Sequence, residues 1–369
     1  MVTVLGPILH SLATPGSDVV LYASCFSLFV VVCAAADAKI VTERVFGPEI
    51  PGKYKHPASI TELQNGDLYL VYYGGSGEYA SDSGVYGAWR RKGEAKWSTP
   101  ERITPRPRWP EGNAVVWQAP DGVVWLFSVV RPGATWSTST IVVRTSTDGA
   151  RTWSEPVPLT TEAGTMVRSK PIALAGEDYL LPIYHETGHD PERVGADTTS
   201  LFLRYDVGKK RWSESSRIRS RLGNLQPAVA ALTDEHLVCY CRRGGDYEPR
   251  KDGYLVRSES HDGGRTWSPG ADSTFPNPNA AVDFLRLANG HLLLIYNDSM
   301  NRRTPLAAAL SLDNDKSYPY RRNLAEGAGD FAYPFAIQTR DGKIHVVYTS
   351  DRRSVINHAV FEEGAILSR

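Results

Sequence analysis

Side chains that could bind an anion, transfer a proton or act as a nucleophile recur where short apolar stretches of the chain begin or end. Arginine and lysine can bind an anionic group, whereas histidine, tyrosine and carboxyl side chains can transfer a proton or attack an electrophilic carbon. The residues of these types, together with two amides, are Lys55, His56, Asn113, Lys170, His185, Glu186, Gln226, Arg242, Arg243, Arg303 and Tyr333. The loop Gly74–Gly84 adds Glu78 and Asp82. These residues form one site only if the fold brings their positions together.

The elements that must position them form a repeat. A tight turn followed by an apolar β-pattern occurs six times, about 55 residues apart, at Gln64–Gly75, Ala119–Val130, Ala175–Glu186, Thr233–Gly244, Ala288–Ser299 and Arg340–Asp351. Each copy follows a short apolar strand. A second unit, centred on an aromatic residue, lies about 30 residues further on, at Trp97, Trp153, Trp212, Trp267 and Tyr318. Self-similarity at this period is typical of repeat architectures.

The repeat predicts the fold class. A period of about 55 residues accommodates four short strands with their turns. Exposed strand edges favour aggregation, and radial repetition of small sheets leaves only short edges. The sequence therefore predicts an all-β protein, a six-bladed β-propeller of four-stranded antiparallel blades that spans residues 39–369.

Two of the aromatic units carry a longer motif. Ser260-His-Asp262-Gly-Gly-Arg-Thr-Trp267 fits the pattern S-x-D-x-G-x-T-W, Ser146–Trp153 fits it with one exception, and Ser311–Tyr318 is a weakened copy. In such a hairpin turn the aspartate accepts backbone N–H bonds, glycine takes a positive φ, and tryptophan packs into the blade. The motif is an Asp box, with a structural role. Through it the chain resembles the sialidase superfamily.

Strand direction predicts where the polar residues lie. We name the strands of a blade A to D from the propeller axis outward. Because neighbouring strands are antiparallel, the start of A, the end of B and the start of C share the face opposite the A–B turns and the Asp boxes. The residues singled out above occupy these positions, so we expect a concave, charged pocket at the axis, which is the default place for a ligand.

The resemblance to sialidases, over about residues 45–360, implies roles for several of these residues. Sialidases bind the carboxylate of sialic acid with three arginines, a geometry that suits a guanidinium fork. Lys55 stands where the first arginine is expected, in Tyr54-Lys-His-Pro57. Arg242 or Arg243 matches the second arginine, and Arg303 matches the third. Asn113, Lys170, His185 and Glu186 complete the expected substrate-binding set.

The resemblance also implies a catalytic set. Tyr333 matches the tyrosine nucleophile at the start of the last blade. Asp82 matches the acid/base in the loop after strand B of the first blade, with Glu78 behind it. Gln226 stands where the family has the glutamate that activates the tyrosine, and a neutral amide cannot take the phenol proton. His56 replaces the isoleucine of the family motif.

Three functions are compatible with these residues. The first is a retaining exo-glycosidase of sialidase type that acts on a terminal anionic sugar. The second is a polysaccharide lyase or unusual glycosidase on a uronate, with His56 or His185 as base and Tyr333 as acid. The third is a glycan-binding propeller without turnover. In each case the expected partner is a glycan that carries a carboxylated sugar. No cofactor and no metal are expected, and the chain is expected to be a monomer.

The first residues and the overall charge bear on location. Val19–Ala36 is apolar and is followed by Ala36-Asp-Ala38, which predicts a secretory signal peptide over residues 1–38, with a membrane anchor as the alternative. We therefore expect a secreted or periplasmic protein whose mature chain does not span a membrane. Lys and Arg (41) balance Asp and Glu (41), which argues against nucleic-acid binding through a basic field. Cys239 and Cys241 are expected to be buried packing residues.

Overall fold

The computed structural model describes residues 39–104, 107–189 and 193–368. The predicted signal peptide, residues 1–38, lies outside the described residues. Within the described residues, no helix is both long and apolar enough to cross a membrane. The regular secondary structure of these residues is almost entirely β-strand, and the strands form six antiparallel sheets.

The six sheets are the blades of a β-propeller, so the predicted fold class is confirmed. Blades one and two are β2 (Tyr54–Glu62), β3 (Leu68–Gly75), β4 (Gly84–Arg90) and β5 (Glu101–Arg102), then β6 (Glu111–Gln118), β7 (Val124–Val130), β8 (Thr140–Ser146) and β9 (Val157–Pro158). Blade three has an interrupted A strand, β10 (Thr165–Val167) and β11 (Ile172–Ala173), and then β12 (Tyr179–His185), β13 (Thr199–Asp206) and β14 (Arg211–Glu214).

The last three blades complete the ring. Blade four is β15 (Asn224–Ala231), β16 (Leu237–Arg243), β17 (Tyr254–Ser260) and β18 (Ala271–Pro276), and blade five is β19 (Asp283–Arg286), β20 (Leu292–Asn297), β21 (Leu306–Ser311) and β22 (Tyr320–Ala325). Blade six combines β23 (Ala332–Gln338), β24 (Ile344–Ser350) and β25 (Val355–Phe361) with β1 (Val41–Phe46). The pairing of β1 with β25 joins the first and last strands of the described residues in one sheet, which was not predicted from the sequence.

In the described parts of the chain, helix is confined to two short pieces, α1 (Gly364–Leu367) and a 3₁₀ turn (Trp136–Thr138). The core consists of the apolar faces of neighbouring blades. At one such contact the Trp267 ring of an Asp box stacks on Phe202 of the preceding blade, with 4.2 Å between centroids. Cys239 and Cys241 are buried free thiols, as expected.

The Asp boxes have the hydrogen bonds that their sequence predicts. The Asp262 carboxylate accepts bonds from the backbone N–H of Arg265 (3.0 Å) and of Thr266 (2.9 Å) and from the Thr266 hydroxyl (2.6 Å). Burial raises the pKa of Asp262, but these bonds outweigh it and lower the pKa to about 2. The weakened copy at Asp313 keeps the bonds to the backbone and hydroxyl of Ser317.

Candidate functional site

A polar cavity lies on the propeller axis, at the end where the A strands begin. Its lining comes from the starts of A strands, the ends of B strands and the loops beside them: His56, Tyr73, Glu78, Tyr79, Asn113, Trp136, Tyr184, Glu186, Val194, Leu225, Gln226, Arg242, Tyr247 and Tyr333. A separate cavity at the other end of the axis is lined by A–B turn residues such as Gln64 and Ala288. The side chains that can transfer protons, attack a substrate or bind an anion therefore lie on the face that strand direction predicts, opposite the A–B turns.

Unusual backbone geometry directs three side chains at or beside this cavity. Gln226, Asn279 and Tyr333 occupy equivalent places at the inner strands of blades four, five and six, and their φ angles are 54°, 57° and 55°. The strand pairing slips at Gln226 and at Tyr333, as expected of β-bulges, and each of these two residues is followed by proline. A left-handed conformation is costly for residues other than glycine, and residues strained in this way cluster at functional sites. A bulge re-aims a side chain, which here turns toward the axis.

A hydrogen-bonded group centres on the Tyr333 hydroxyl. Arg242 donates from Nη1 to that hydroxyl (2.7 Å) and to Oε1 of Gln226 (3.2 Å), from Nε to Asn279 (2.6 Å) and from Nη2 to the Tyr247 hydroxyl (2.8 Å). The amide nitrogen of Gln226 lies 3.5 Å from the Tyr333 hydroxyl. The positions of Arg242, Asn279, Gln226 and Tyr333 are thus mutually fixed.

Positive charge surrounds the same phenol. The guanidinium carbons of Arg168, Arg242 and Arg303 lie 5.4, 5.9 and 5.6 Å from the centroid of the Tyr333 ring. Burial by itself raises the pKa of Tyr333, but the charges of Arg242, Arg303 and Arg353 outweigh it, so the pKa lies below its usual value. The Tyr333 phenol therefore ionises more readily than the phenol of an ordinary buried tyrosine.

Arg168 and Arg353 are site residues that the sequence analysis missed. Arg168 lies in the interruption between β10 and β11 and donates to the Pro334 carbonyl (2.8 Å). Arg353 follows strand B of blade six, and its guanidinium contacts the Glu78 carboxylate and the Tyr54 hydroxyl. A signal for Arg353 existed, because the pair Arg352-Arg353 comes just after strand B of blade six, and the similar pair Arg242-Arg243 ends strand B of blade four.

His56 packs against the nucleophile candidate. Its ring centroid is 4.0 Å from that of Tyr333, in an edge-to-face arrangement. Nδ1 is 3.0 Å from the Thr349 hydroxyl, whereas Nε2 is buried and has no hydrogen-bond partner among the described residues. Burial, reinforced by the neighbouring arginines, holds the pKa of His56 well below its usual value. The imidazole is therefore neutral and offers a free nitrogen near the cavity.

Two carboxylates line the cavity, and their environments differ. Burial raises the pKa of Glu186 to about 7, aided by the negative charge of Glu78 and opposed by Arg242. Glu78 is ion-paired with Arg353. Two carboxyl groups in unlike environments, one buried with a raised pKa and the other paired with an arginine, allow acid and base roles to be divided.

Asp82, which sequence reasoning preferred to Glu78, does not reach the cavity. Its side chain is exposed and accepts hydrogen bonds from the backbone N–H (3.0 Å) and hydroxyl (3.0 Å) of Ser76. These bonds lower its pKa. The loop folds back on Asp82, and this places Glu78, four residues earlier, over the cavity.

Four further predicted site residues point elsewhere. The Lys55 ammonium is bound by the carbonyls of Ile50 and Gly52, and Arg243 donates to the carbonyls of Asn277 (2.8 Å) and Gly244 (2.9 Å). Lys170 forms an ion pair with Asp283 (2.9 Å), and the His185 ring contacts the Ala163 carbonyl (3.0 Å). Alternation along a strand explains two of these cases: Arg242 faces the axis and Arg243 does not, and Glu186 lies at the cavity while its neighbour His185 turns away.

The remaining predicted residues lie at or beside the cavity. Asn113 donates to the Tyr184 hydroxyl (3.1 Å), and both line it. Arg303 is buried between Tyr247 and Tyr333, where its Nη2 donates to the Asn279 carbonyl (3.2 Å). Arg303 and Arg353 also line a second cavity beside it, together with Tyr54 and Arg352.

A six-bladed propeller with Asp boxes and a polar axial site defines the class of protein. The family model of the BNR repeat-like domain matches residues 66–346, and the chain therefore belongs to this family. Among curated protein sequences, none matches the chain.

Solved structures show the same architecture. The NanB sialidase from Streptococcus pneumoniae superimposes with a TM-score of 0.72 at 11% identity, over 88% of this chain and 71% of that one. An intramolecular trans-sialidase from Ruminococcus gnavus gives 0.71 at 12% identity, over 88% and 98%. An α-L-arabinofuranosidase from Fusarium graminearum gives 0.65 at 12% identity, over 90% and 100%. At these identities the likeness establishes the sialidase-like fold, which is shared here by several glycosidases.

Proposed function

We propose that the protein is a glycoside hydrolase that acts on a terminal sugar carrying an anionic group. The observation that supports this most is the Tyr333 phenol, whose pKa is lowered by three arginines beside two carboxyl groups of unlike environment. An arginine-rich cavity suits a carboxylate, which guanidinium groups bind with paired hydrogen bonds. The sialidase-like neighbours make a glycan the natural substrate class.

Tyr333 is the proposed nucleophile. The resemblance to sialidases implies a carboxylate base that assists ionisation of the phenol, but Gln226 occupies that place and cannot accept the proton. The charges of Arg242, Arg303 and Arg353 supply the assistance instead, because they stabilise the phenolate directly. Attack of the phenolate oxygen on the anomeric carbon then forms a glycosyl–tyrosine bond while the bond to the leaving oxygen breaks.

Glu186 is the proposed acid/base, in the role that the sequence analysis assigned to Asp82. With a pKa of about 7 it holds a proton near neutral pH and can deliver it to the leaving oxygen. The resulting carboxylate can then take a proton from the water that releases the sugar from Tyr333, which restores both groups. Glu78 is paired with Arg353 and takes no part in this proton transfer.

His56 favours a second candidate, a lyase that acts on a uronate. The neutral His56 has a free Nε2, and its ring contacts Tyr333. In that reaction Nε2 removes the proton next to the uronate carboxylate, the arginines neutralise the carboxylate, and the phenol protonates the leaving oxygen. The product would carry a new carbon–carbon double bond.

A substrate screen separates the candidates. The purified chain is incubated with fluorogenic sialosides and uronides and, separately, with uronate-rich polysaccharides while ultraviolet absorbance is followed. The hydrolase predicts release of the fluorophore without a rise in absorbance, whereas the lyase predicts an unsaturated uronate. Binding to a glycan array without either product would contradict both and identify a glycan-binding propeller.

We also propose that the protein is exported, with residues 1–38 as its signal peptide, and that it is a monomer. Amino-terminal sequencing of the exported protein should begin near Lys39. Recovery of an uncleaved chain in the membrane fraction would contradict this and favour the anchor. Light scattering during gel filtration measures the mass of the particle in solution.

A further inference from the structure

A second group of side chains with the chemistry of metal ligands lies far along the strands from the axial cavity. His236 is in the A–B turn of blade four, Glu259 is near the end of β17, and His261 is in the Asp box that follows. The Glu259 Oε2 atom is 2.7 Å from Nε2 of His236 and 3.7 Å from Nε2 of His261. Across the described part of the chain, this is the one group of three or more such residues whose ligand atoms all lie within 4.8 Å of one another.

We infer that His236, Glu259 and His261 bind a divalent transition-metal ion, with Zn²⁺ as the ion that this donor set suits best. Zinc takes imidazole nitrogen at about 2.0–2.1 Å and carboxylate oxygen at about 2.0–2.2 Å, so two donors of a tetrahedral ion stand about 3.4 Å apart. The separations of 2.7 and 3.7 Å lie on either side of this value. Three protein ligands leave a fourth position for water.

The three donors are already arranged to face one another. The two imidazole rings stack with 4.3 Å between centroids and 28° between planes, and both direct Nε2 to the same carboxylate oxygen. Arg257 binds the other oxygen of Glu259 and leaves Oε2 to the histidines. The positive charge of Arg257 is itself balanced by the buried carboxylate of Asp315, 2.7 Å away. Little rearrangement of these side chains is therefore needed when an ion replaces the hydrogen bond between His236 and Glu259.

The neighbouring blade shows that the fold does not require this group. His291 precedes strand B of blade five, as His236 does in blade four, and it pairs with Glu363. Leu310 and Leu312, however, stand where blade four has Glu259 and His261 relative to the Asp-box serine. At this place blade five thus has one histidine, paired with a glutamate that follows the last strand of blade six, and no second imidazole, which makes it an internal control.

Metal binding should be measured on the native protein. After treatment with EDTA and its removal by dialysis, the full chain is titrated with Zn²⁺ by isothermal titration calorimetry in a buffer that does not chelate. We expect one ion per chain. His236→Gln and His261→Asn should each weaken binding by at least about tenfold, since loss of even an outer partner of a metal ligand costs about 10–100-fold. His291→Gln should bind as the wild type does.

Two results would overturn the inference. One is a wild-type chain that takes up no Zn²⁺, and the other is an affinity that is the same in His261→Asn as in the wild type. Both histidines are at the surface, so the variants should fold, and circular dichroism checks this. Titration with Co²⁺ adds a readout of geometry, because a four-coordinate site should give visible absorption that His261→Asn loses.

Discussion

The Tyr333 hydroxyl lies 2.7 Å from Nη1 of Arg242, which is 91 positions away along the chain and on another blade. This contact spans the propeller axis from blade six to blade four. It couples the proposed nucleophile to the guanidinium that is also bonded to Gln226, Asn279 and Tyr247. Ionisation of the phenol and the binding of an anion therefore depend on the same arginine.

Tyr333→Phe should abolish turnover and leave ligand binding measurable. The substitution keeps the ring against His56 and removes only the hydroxyl, so the fold should survive with a loss of about 1–2 kcal/mol for the missing hydrogen bonds. Activity and the free energy of unfolding are both measured. Tyr72→Phe is the matched control, because that buried hydroxyl bonds the Pro51 carbonyl away from the cavity. Undiminished turnover in Tyr333→Phe would remove the phenol from the reaction.

Glu186 should impose a basic limb on the pH profile. A general acid must be protonated, so kcat/KM should fall as the pH rises through about 7, the pKa to which burial raises this carboxyl group. Glu186→Gln cannot release or donate a proton in this way, and its residual activity should lack that limb. The measurement is kcat/KM between about pH 5 and 9. A basic limb that persists in Glu186→Gln would assign the acid role to another group.

Arg303 and Arg243 should respond differently to replacement by lysine. Arg303 lies beside Tyr333, so Arg303→Lys should weaken binding of an anionic sugar by about 1.5–3 kcal/mol, the value of one charge-assisted hydrogen bond. Arg243 holds the carbonyls of Asn277 and Gly244, so Arg243→Lys should lower stability instead. Calorimetric binding and thermal unfolding are compared for both. Weaker binding in Arg243→Lys at unchanged stability would contradict this assignment.

Asp262→Ala should destabilise the fold without affecting the chemistry. Its carboxylate satisfies two backbone N–H groups of a turn, and loss of a comparable cap costs about 1–2 kcal/mol. Urea unfolding gives the loss, and activity per folded molecule should be unchanged. Asp234→Ala, at an exposed position in the turn of the same blade, is the control and should be nearly neutral. A stable but inactive Asp262→Ala would assign this Asp box to the active site.

The closing blade should weaken in acid. His345 bonds His358 (2.9 Å), which bonds Glu43 of β1 (3.1 Å). Burial lowers the pKa of His345 from 6.5 to about 3, so the unfolded chain binds a proton there first as the pH falls. The stabilisation is complete above about pH 6.5 and is lost toward about pH 3.

His345→Asn tests this dependence, because asparagine does not titrate in that range. Across the window, the free energy of unfolding should fall less steeply in the variant, by up to about 1.4 kcal/mol per pH unit, the contribution of one proton. Urea unfolding at several pH values measures both slopes. Equal slopes in the variant and the wild type would show that His345 does not carry the effect.

The sequence alone determined the number of blades, the nature of the strands and the face that carries the site. Turns and alternating apolar residues act over a few positions, so they can be read locally and counted around the ring. Antiparallel pairing then assigns the starts of A strands to one face. His56, Asn113, Gln226 and Tyr333 lie at the cavity because they occupy those starts.

Only the tertiary structure decided which member of each neighbouring pair faces the axis. A shift of one residue sends a side chain to the other face of a strand, and the bulges beside Gln226 and Tyr333 introduce such shifts. Arg242 rather than Arg243, and Glu186 rather than His185, reach the cavity because neighbouring residues along a strand point to opposite faces. The conformation of the loop places Glu78, and not Asp82, at the cavity. The packing of blade six against blade one places Arg353 beside Glu78. These outcomes depend on contacts between residues as far apart as 275 positions, which no local pattern records.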